Sequence, residues 1–374
     1  MASVILHIGT PKTGTTYIQQ TFAANRRYLL SSGITYPAFG RWPSHTPLAL
    51  AFNFEDSDRH QKWGVTDRDK TRADVARTIS AAVKPDSRFV LSTESATRLT
   101  DEEAASLYEF LQQFFDEITI LVYLRRRDFM LTSRFSQRMK DGGRNLTWRR
   151  AIRKLGTHEP NALIERWSQV AGFSSLITRP YFEDFKRTPA TLLADFCAQV
   201  GVDPTGLAVP ASDDEKARNT SLNAEGIQIL QALNPLFPRR TTGGQQNSAL
   251  RLNVVDRVLE TTTGPPLAVP QRILTAADEQ FGSGDIELVA KMGSDPLWQQ
   301  WLSQPGPTTD HLTKPMTAAR TAELLTALSI PAGPLDFSQP DWRPRESTGR
   351  ARQGGKRLSA ALRRSMKSSS GGQS

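Results

Sequence analysis

Residues 4–16 have the sequence VILHIGTPKTGTT, and they are the most informative stretch of the chain. Of the first five, Val4–Ile8, all but His7 are apolar and most are β-branched, which is typical of a buried strand. A loop with two glycines follows, and then Tyr17–Asn25, which is a good helical sequence. A strand, a glycine loop and a helix N-terminus together form an anion site, because backbone N–H groups and the helix dipole both favour negative charge. The stretch therefore predicts that a phosphorylated ligand binds here.

Other apolar segments extend this beginning to a sheet. Three of them have the length and composition of strands: Arg88–Ser92, Ile118–Leu124 and Ser175–Thr178. Longer stretches between them fit helices: Thr15–Leu30, Arg72–Val83 and Asp101–Phe115. Strands that alternate with helices imply right-handed crossovers and a parallel sheet covered on both faces. The predicted fold class is α/β, a P-loop-like, mainly parallel sheet flanked by helices, with ligands beyond the carboxyl ends of the strands.

The domain organisation follows from where strand signals end. A chain of 374 residues with 38% hydrophobic content can form one large domain or two modest ones. We expect a single catalytic domain over 1–340, with an α/β core at 1–205 and a helical extension at 206–340. Helix candidates in the extension are Leu222–Leu233, Asn253–Thr261 and Thr317–Leu328. Residues 341–374 have the composition of a disordered basic tail.

Charge and cysteine content limit the partners and the compartment. Residues 347–374 hold seven Lys or Arg and no acidic residue, so only about +2 of the net charge of +9 belongs to the rest. A surface for nucleic acid is therefore not expected. The tail stretch Lys356–Lys367 could make a weak membrane-surface contact, although a solvated tail is simpler. With a single cysteine, no basic leader and no run of roughly 18 to 20 apolar residues, we expect a cytoplasmic protein.

The lysine of the glycine loop is displaced from its position in nucleoside-triphosphate loops. Those loops read G-x-x-x-x-G-K-[ST], whereas this chain has Thr15 after the second glycine and carries Lys12 inside the loop. The string resembles the 5′-phosphosulfate loop of sulfotransferases that use 3′-phosphoadenosine 5′-phosphosulfate (PAPS). The resemblance implies that the lysine lies beside the oxygen bridging sulfate and phosphate. The residues then expected at the donor are Pro11, Lys12, Thr13, Gly14, Thr15 and Thr16. A turn that only joins strand to helix is the plain alternative.

A second anion site would be needed for the 3′-phosphate of PAPS. The predicted strand Ile118–Leu124 runs into three arginines, and Ser133 follows eight residues after Arg125. This spacing is similar to the family's 3′-phosphate motif, an arginine that ends the strand and a serine on the next helix. Many members have Asn-Pro after that arginine, so Arg126-Arg127 leaves open which arginine makes the contact. A late basic residue, Arg218, is a further candidate, although a solvated basic loop is the simpler interpretation.

The resemblance covers most of residues 1–235 and implies the reaction. A sulfuryl group would move from PAPS to a hydroxyl or amine of an acceptor, carbohydrate or glycolipid, by in-line displacement without a metal, leaving 3′,5′-bisphosphoadenosine. Two other functions stay open. A phosphotransferase with a degenerate loop would use ATP and Mg²⁺, and a non-catalytic module would bind the nucleotide without transfer.

Two residues are candidates for the base that takes the acceptor's proton. Glu94 lies just past the predicted strand Arg88–Ser92, and some sulfotransferases use a glutamate in this role. His45 is the rival, because it lies in a loop and has a suitable unperturbed pKa. Surface or structural roles are the plain alternatives for both. His7 and Trp167 are predicted to be core residues.

Overall fold

The computed structural model describes residues 1–54, 57–143, 147–153, 159–209, 220–234, 248–282, 284–293, 295–309 and 316–328. These residues fall into two compact units. The first contains the described residues within Met1–Arg127, Leu155–Ala211 and Phe281–Gln304, and the second contains those within Asp128–Lys154, Ser212–Gln280 and Pro305–Ser374. No helix in the described ranges is long and apolar enough to cross a membrane.

The first unit is built on a five-stranded sheet whose strands are all parallel. The strands are β1 Ser3–His7, β2 Ile34–Thr35, β3 Arg88–Ser92, β4 Glu117–Leu124 and β5 Leu176–Pro180, in the order β2-β3-β1-β4-β5. The α/β fold with a P-loop-like parallel sheet is therefore as predicted, and the four predicted strands are present within two residues. The two-residue β2 was not predicted, because it is too short to give a periodic signal. Since the order places β1 between β3 and β4, the loop after β1 lies at the centre of the carboxyl edge.

Helices connect the strands and cover the sheet. Those of the first unit are Thr15–Ala24, Arg26–Ser31, Thr46–Leu50, Ser57–Trp63, Arg68–Ala82, Asp101–Gln112, Pro160–Ala171, Pro189–Val200, Gly284–Lys291 and Pro296–Ser303. The predicted helix Thr15–Leu30 is divided at Asn25, whose side-chain amide donates to the carbonyls of Thr21 and Ala208. Asp101–Gln112 begins where predicted because Thr100 and Glu103 form a capping box.

Each face of the sheet packs its own hydrophobic cluster. Side chains alternate along β4, with Ile120 and Val122 in one cluster and Leu121 and Tyr123 in the other. The first cluster includes residues of the helices Asp101–Gln112 and Pro160–Ala171, and the second includes residues of Thr15–Ala24 and Pro189–Val200. Helices on both faces leave the strand ends as the place for a ligand.

The second unit is mainly helical where it is described. Its helices are Arg127–Lys140 (except the first residue), Trp148–Arg153, Ala224–Leu233, Ser248–Thr261, Gln271–Phe281 (except the last) and Ala318–Ala327, with a short parallel pair of strands at Val269–Pro270 and Thr308–Thr309. The three helices predicted after residue 205 are present here. Arg218 and the basic tail lie outside the described residues.

Candidate active site

The loop after β1 is held to the end of β4. The N–H and the hydroxyl of Thr10 both donate to the carbonyl of Tyr123, each at 3.0 Å, and the Tyr123 N–H donates to the Gly9 carbonyl at 2.7 Å. Within the loop, the Thr13 hydroxyl donates to the Thr10 carbonyl at 2.6 Å. The loop is thus fixed in shape by contacts that use its own polar groups.

Two positions in the loop have left-handed backbone. Gly14 has φ 73° as the N-cap of the helix Thr15–Ala24, and a Cβ there would come within 2.3 Å of the Leu192 side chain. Lys12 has the same φ of 73°, which is uncommon for a residue with a side chain. Of the other loop residues that are predicted to contact PAPS, Thr16 is exposed, Pro11 is half-buried and Thr13 is buried. The loop therefore leads into a helix N-terminus, which favours an anion.

Glu94 contacts this loop from the end of β3. Its side chain is half-buried at the start of the short 3₁₀ helix Glu94–Arg98, and its Oε2 accepts a hydrogen bond of 2.8 Å from the Thr15 hydroxyl. A Cβ on Gly9 would lie 3.2 Å from the Cβ of Glu94, so the glycine permits the close approach. The structure therefore brings Glu94 and the loop after β1 together.

Arg125 joins the loop from the end of β4. Its guanidinium is buried and donates from Nη1 to the carbonyl of Lys12 at 3.2 Å. Nε and Nη2 donate to the two carboxylate oxygens of Glu183 at 2.5 and 2.7 Å. Such a bidentate pair is strong and fixes the plane of the guanidinium. Arg125 thus holds the main chain of Lys12, the loop lysine that the sequence analysis singled out.

The next two arginines have structural roles in the first unit. Arg126 donates to the carbonyls of Trp301, Leu302 and Gln304 and so caps the C-terminus of the helix Pro296–Ser303. Arg127 forms a buried pair with Glu159 at 2.9 and 3.1 Å. Of the three consecutive arginines, the one whose side chain contacts the loop is Arg125.

Sequence reasoning missed Glu183 and Lys186, which follow β5. They lie on the 3₁₀ helix Glu183–Lys186, and the Lys186 ammonium is 2.5 Å from Glu183 Oε2. Burial lowers the pKa of Lys186, and the charges of Arg125 and Lys12 lower it further. The Arg125 and Lys186 cations hold the pKa of Glu183 below its usual range, against the opposing effect of burial. Ligands bind beyond the carboxyl ends of parallel strands, and this rule also applies to β5. It could have identified both residues from the sequence.

The structure gives His45 a structural role. Its ring is buried, Nδ1 accepts from the Ser92 N–H at 2.7 Å, and Nε2 lies 2.8 Å from the Pro37 carbonyl. Since Nδ1 accepts, Nε2 is the protonated nitrogen, and both ring nitrogens are used. Burial lowers the pKa of His45 to about 4. This arrangement leaves no ring nitrogen for an acceptor, which speaks against the expected role as rival base.

The two predicted core residues and the single cysteine are buried. His7 contacts the Ser92 hydroxyl at 2.9 Å, and burial lowers its pKa to about 3. Trp167 belongs to the first hydrophobic cluster. Cys197 belongs to the second, and burial raises the pKa of its thiol to about 12. A thiol with that pKa is protonated at neutral pH and acts as an apolar side chain.

Ser133 belongs to the second unit, on the helix Arg127–Lys140, where it is half-buried. On the same helix, the buried Ser136 hydroxyl accepts from the Leu222 N–H at 2.9 Å.

Among the described residues, no group of three or more His, Cys, Asp or Glu side chains could hold a metal ion.

Solved structures similar to this chain include two sulfotransferases. One is a sulfotransferase from Alicyclobacillus acidocaldarius, with 14% identity and a TM-score of 0.38, covering 62% of this chain and 91% of that chain. The other is the sulfotransferase domain from the curacin biosynthetic pathway, with 13% identity and a TM-score of 0.33, covering 71% of this chain and 99% of that chain. No family model matches the chain, and no curated protein matches it in sequence.

Proposed function

We propose that this chain is a sulfotransferase that moves a sulfuryl group from PAPS to a hydroxyl or amine of an acceptor, a carbohydrate or glycolipid. The observation that carries the proposal is the position of Lys12, inside the loop after β1, on a backbone whose carbonyl accepts from Arg125. A triphosphate loop has its lysine three residues later, after the second glycine. A lysine within the loop suits the bridging oxygen of a phosphosulfate.

The donor site of this proposal combines the loop with cations from other strand ends. The N-terminus of the helix Thr15–Ala24 and the loop amides would bind the 5′-phosphate. Lys12 and Arg125 would supply positive charge. Arg125, Ser133 and Arg218 remain predictions for the 3′-phosphate. The cytoplasmic location and the weak membrane contact of the tail also remain predictions.

The reaction balances with groups that the edge supplies. The acceptor oxygen or nitrogen forms a bond to sulfur while the bond from sulfur to the 5′-phosphate oxygen breaks. The electron pair stays on that oxygen, giving 3′,5′-bisphosphoadenosine, and Lys12 with the loop amides stabilises the charge that develops there. The proton of the acceptor goes to the carboxylate of Glu94.

Glu94 is the proposed base because its carboxylate contacts the loop through the Thr15 hydroxyl. Glu94→Gln keeps an oxygen that can accept this hydrogen bond and removes the basicity. We expect the transfer rate to fall about 10²- to 10⁴-fold, with bisphosphoadenosine affinity within about twofold of wild type. Glu102→Gln, an exposed residue of the helix Asp101–Gln112, is the matched control. An unchanged rate in Glu94→Gln would remove Glu94 from the mechanism.

The experiment for the function itself is label transfer. The protein is incubated with PAPS labelled in the sulfuryl group and with glycan or lipid extracts, and Glu94→Gln serves as the inactive control. We expect label in an acceptor fraction together with release of bisphosphoadenosine. If no fraction is labelled and PAPS does not bind, the proposal fails.

A further inference from the structure

Four charged residues at the carboxyl edge of the sheet form one connected group, Lys12 through its main-chain carbonyl and the others through their side chains. This group is here called the edge cluster: Lys12, Arg125, Glu183 and Lys186. Arg125 donates to the Lys12 carbonyl and to both oxygens of Glu183, and Lys186 shares one of these oxygens. Three of the four side chains are cations. Even without Lys12, the two cations Arg125 and Lys186 share one carboxylate, that of Glu183, in the part of the chain that the structure describes.

An excess of cations at one place opposes folding, because like charges repel and partial burial removes the water that would screen them. Lys186 shows this cost, since burial and the charges of Arg125 and Lys12 all lower its pKa. Its side chain is still 37% exposed, so its ammonium is accessible to a ligand. The exposed neighbour Arg187 pairs instead with Asp184. An anion bound at the edge cluster would remove the repulsion.

We propose that Lys186 is a second lysine of the donor site, which binds an anionic group of the ligand beside Lys12 and Arg125. Naming PAPS as that ligand rests on the proposed function, whereas the anion site itself rests on the edge cluster. Glu183 is a positioning residue in this arrangement, because it holds Arg125 and Lys186 through the same carboxylate.

The test is calorimetric titration of the full chain with two probes, inorganic pyrophosphate and 3′,5′-bisphosphoadenosine. The variants are Lys186→Met, which removes the charge, Lys186→Arg, which keeps it, and Arg187→Met as the control from the same turn. We expect Lys186→Met to weaken both probes about tenfold, the size of one charge-assisted hydrogen bond. Lys186→Arg should lose less than about threefold and Arg187→Met less than about twofold.

The two probes separate this inference from the proposed function. Equal pyrophosphate affinity in wild type and Lys186→Met, or no pyrophosphate binding by wild type, overturns the role of Lys186. Wild type that binds pyrophosphate but not bisphosphoadenosine, with the tenfold loss in Lys186→Met, supports the anion site and contradicts PAPS as the donor. Thermal melts show whether each variant is folded, and retained binding in Lys186→Arg attributes the loss to charge.

Discussion

Arg125 in the first unit and Arg320 in the second each bind a glutamate through two nitrogens. At Arg320 the surroundings are rich in carboxylates, because Glu225 accepts from Nε and Nη2 and Glu323 pairs with Nη1. At Arg125 the balance is reversed, since two cations, Arg125 and Lys186, share the one carboxylate of Glu183. An arginine held by carboxylates needs no further anion, whereas two cations on one carboxylate leave positive charge that an anionic ligand would neutralise.

The largest expected effect comes from the loop lysine. Lys12→Ala removes a cation from the edge cluster, and we expect kcat to fall about 10²- to 10³-fold, as when one group that stabilises transition-state charge is lost. The melting temperature should hardly change, because the side chain is half-buried and its loss lowers the repulsion. Steady-state kinetics and a thermal melt check both. If Lys12→Ala lowered the melting temperature strongly while the folded enzyme kept the wild-type kcat, Lys12 would have a structural role and the prediction would be wrong.

The next effect is on stability and comes from a balanced pair. Arg127→Met leaves Glu159 buried without its partner, so the free energy of unfolding should fall by about 3 to 5 kcal/mol. Urea denaturation measures this loss. The affinity of the folded variant for bisphosphoadenosine should stay within about twofold of the wild-type value, after correction for the fraction of protein that is unfolded. A small change in stability with a large loss of affinity would place Arg127 among the ligand-binding groups instead.

How much of this edge could be predicted differs between residues. Runs of apolar residues predict β1, β3, β4 and β5 because a buried parallel strand needs them continuously. Lys12 was predicted because it lies inside the glycine loop after β1, and Glu94 because it lies just past β3. The three consecutive arginines look alike in sequence, and their partners Glu183, Trp301 and Glu159 lie far along the chain, so tertiary contacts alone assign them different roles.

Other features were missed or misjudged for related reasons. Glu183 and Asp184 are adjacent carboxylates after β5, and nothing local indicates that Glu183 binds Arg125 while Asp184 faces solvent. His45 was a candidate base because it lies in a loop. Its ring nitrogens are satisfied by Ser92 and Pro37, contacts that depend on how the loop packs on β3.

A third expected effect is a pH dependence of stability, which comes from two buried neutral histidines and not from the charged edge cluster. His7 and His45 are held neutral, with pKa values lowered to about 3 and about 4 from 6.5. Between these values and 6.5 the unfolded chain binds more protons than the folded one, so stability falls as pH is lowered. From pH 7 to pH 5 each histidine should contribute a loss of about 2 kcal/mol, and His45→Gln should reduce the pH dependence. Stability that is constant over this interval would contradict the burial of both rings.

The smallest effect is expected in the second unit. Arg320→Met breaks a pair that is less buried than Arg127 and Glu159, so it should destabilise the protein less than Arg127→Met and leave bisphosphoadenosine affinity unchanged. Parallel urea curves and titrations of the two variants provide the measurement. If Arg320→Met weakened the nucleotide as much as Lys186→Met, charge excess would not distinguish a ligand site from a structural pair.

The most direct measurement for the central claim is a thermal melt of the wild-type chain with 3′,5′-bisphosphoadenosine, compared with ATP plus Mg²⁺. A lysine inside the loop predicts stabilisation by bisphosphoadenosine, about 2.7 kcal/mol at 100 times its dissociation constant, and little from ATP with metal. Stabilisation by ATP with Mg²⁺ and none by bisphosphoadenosine would contradict the account.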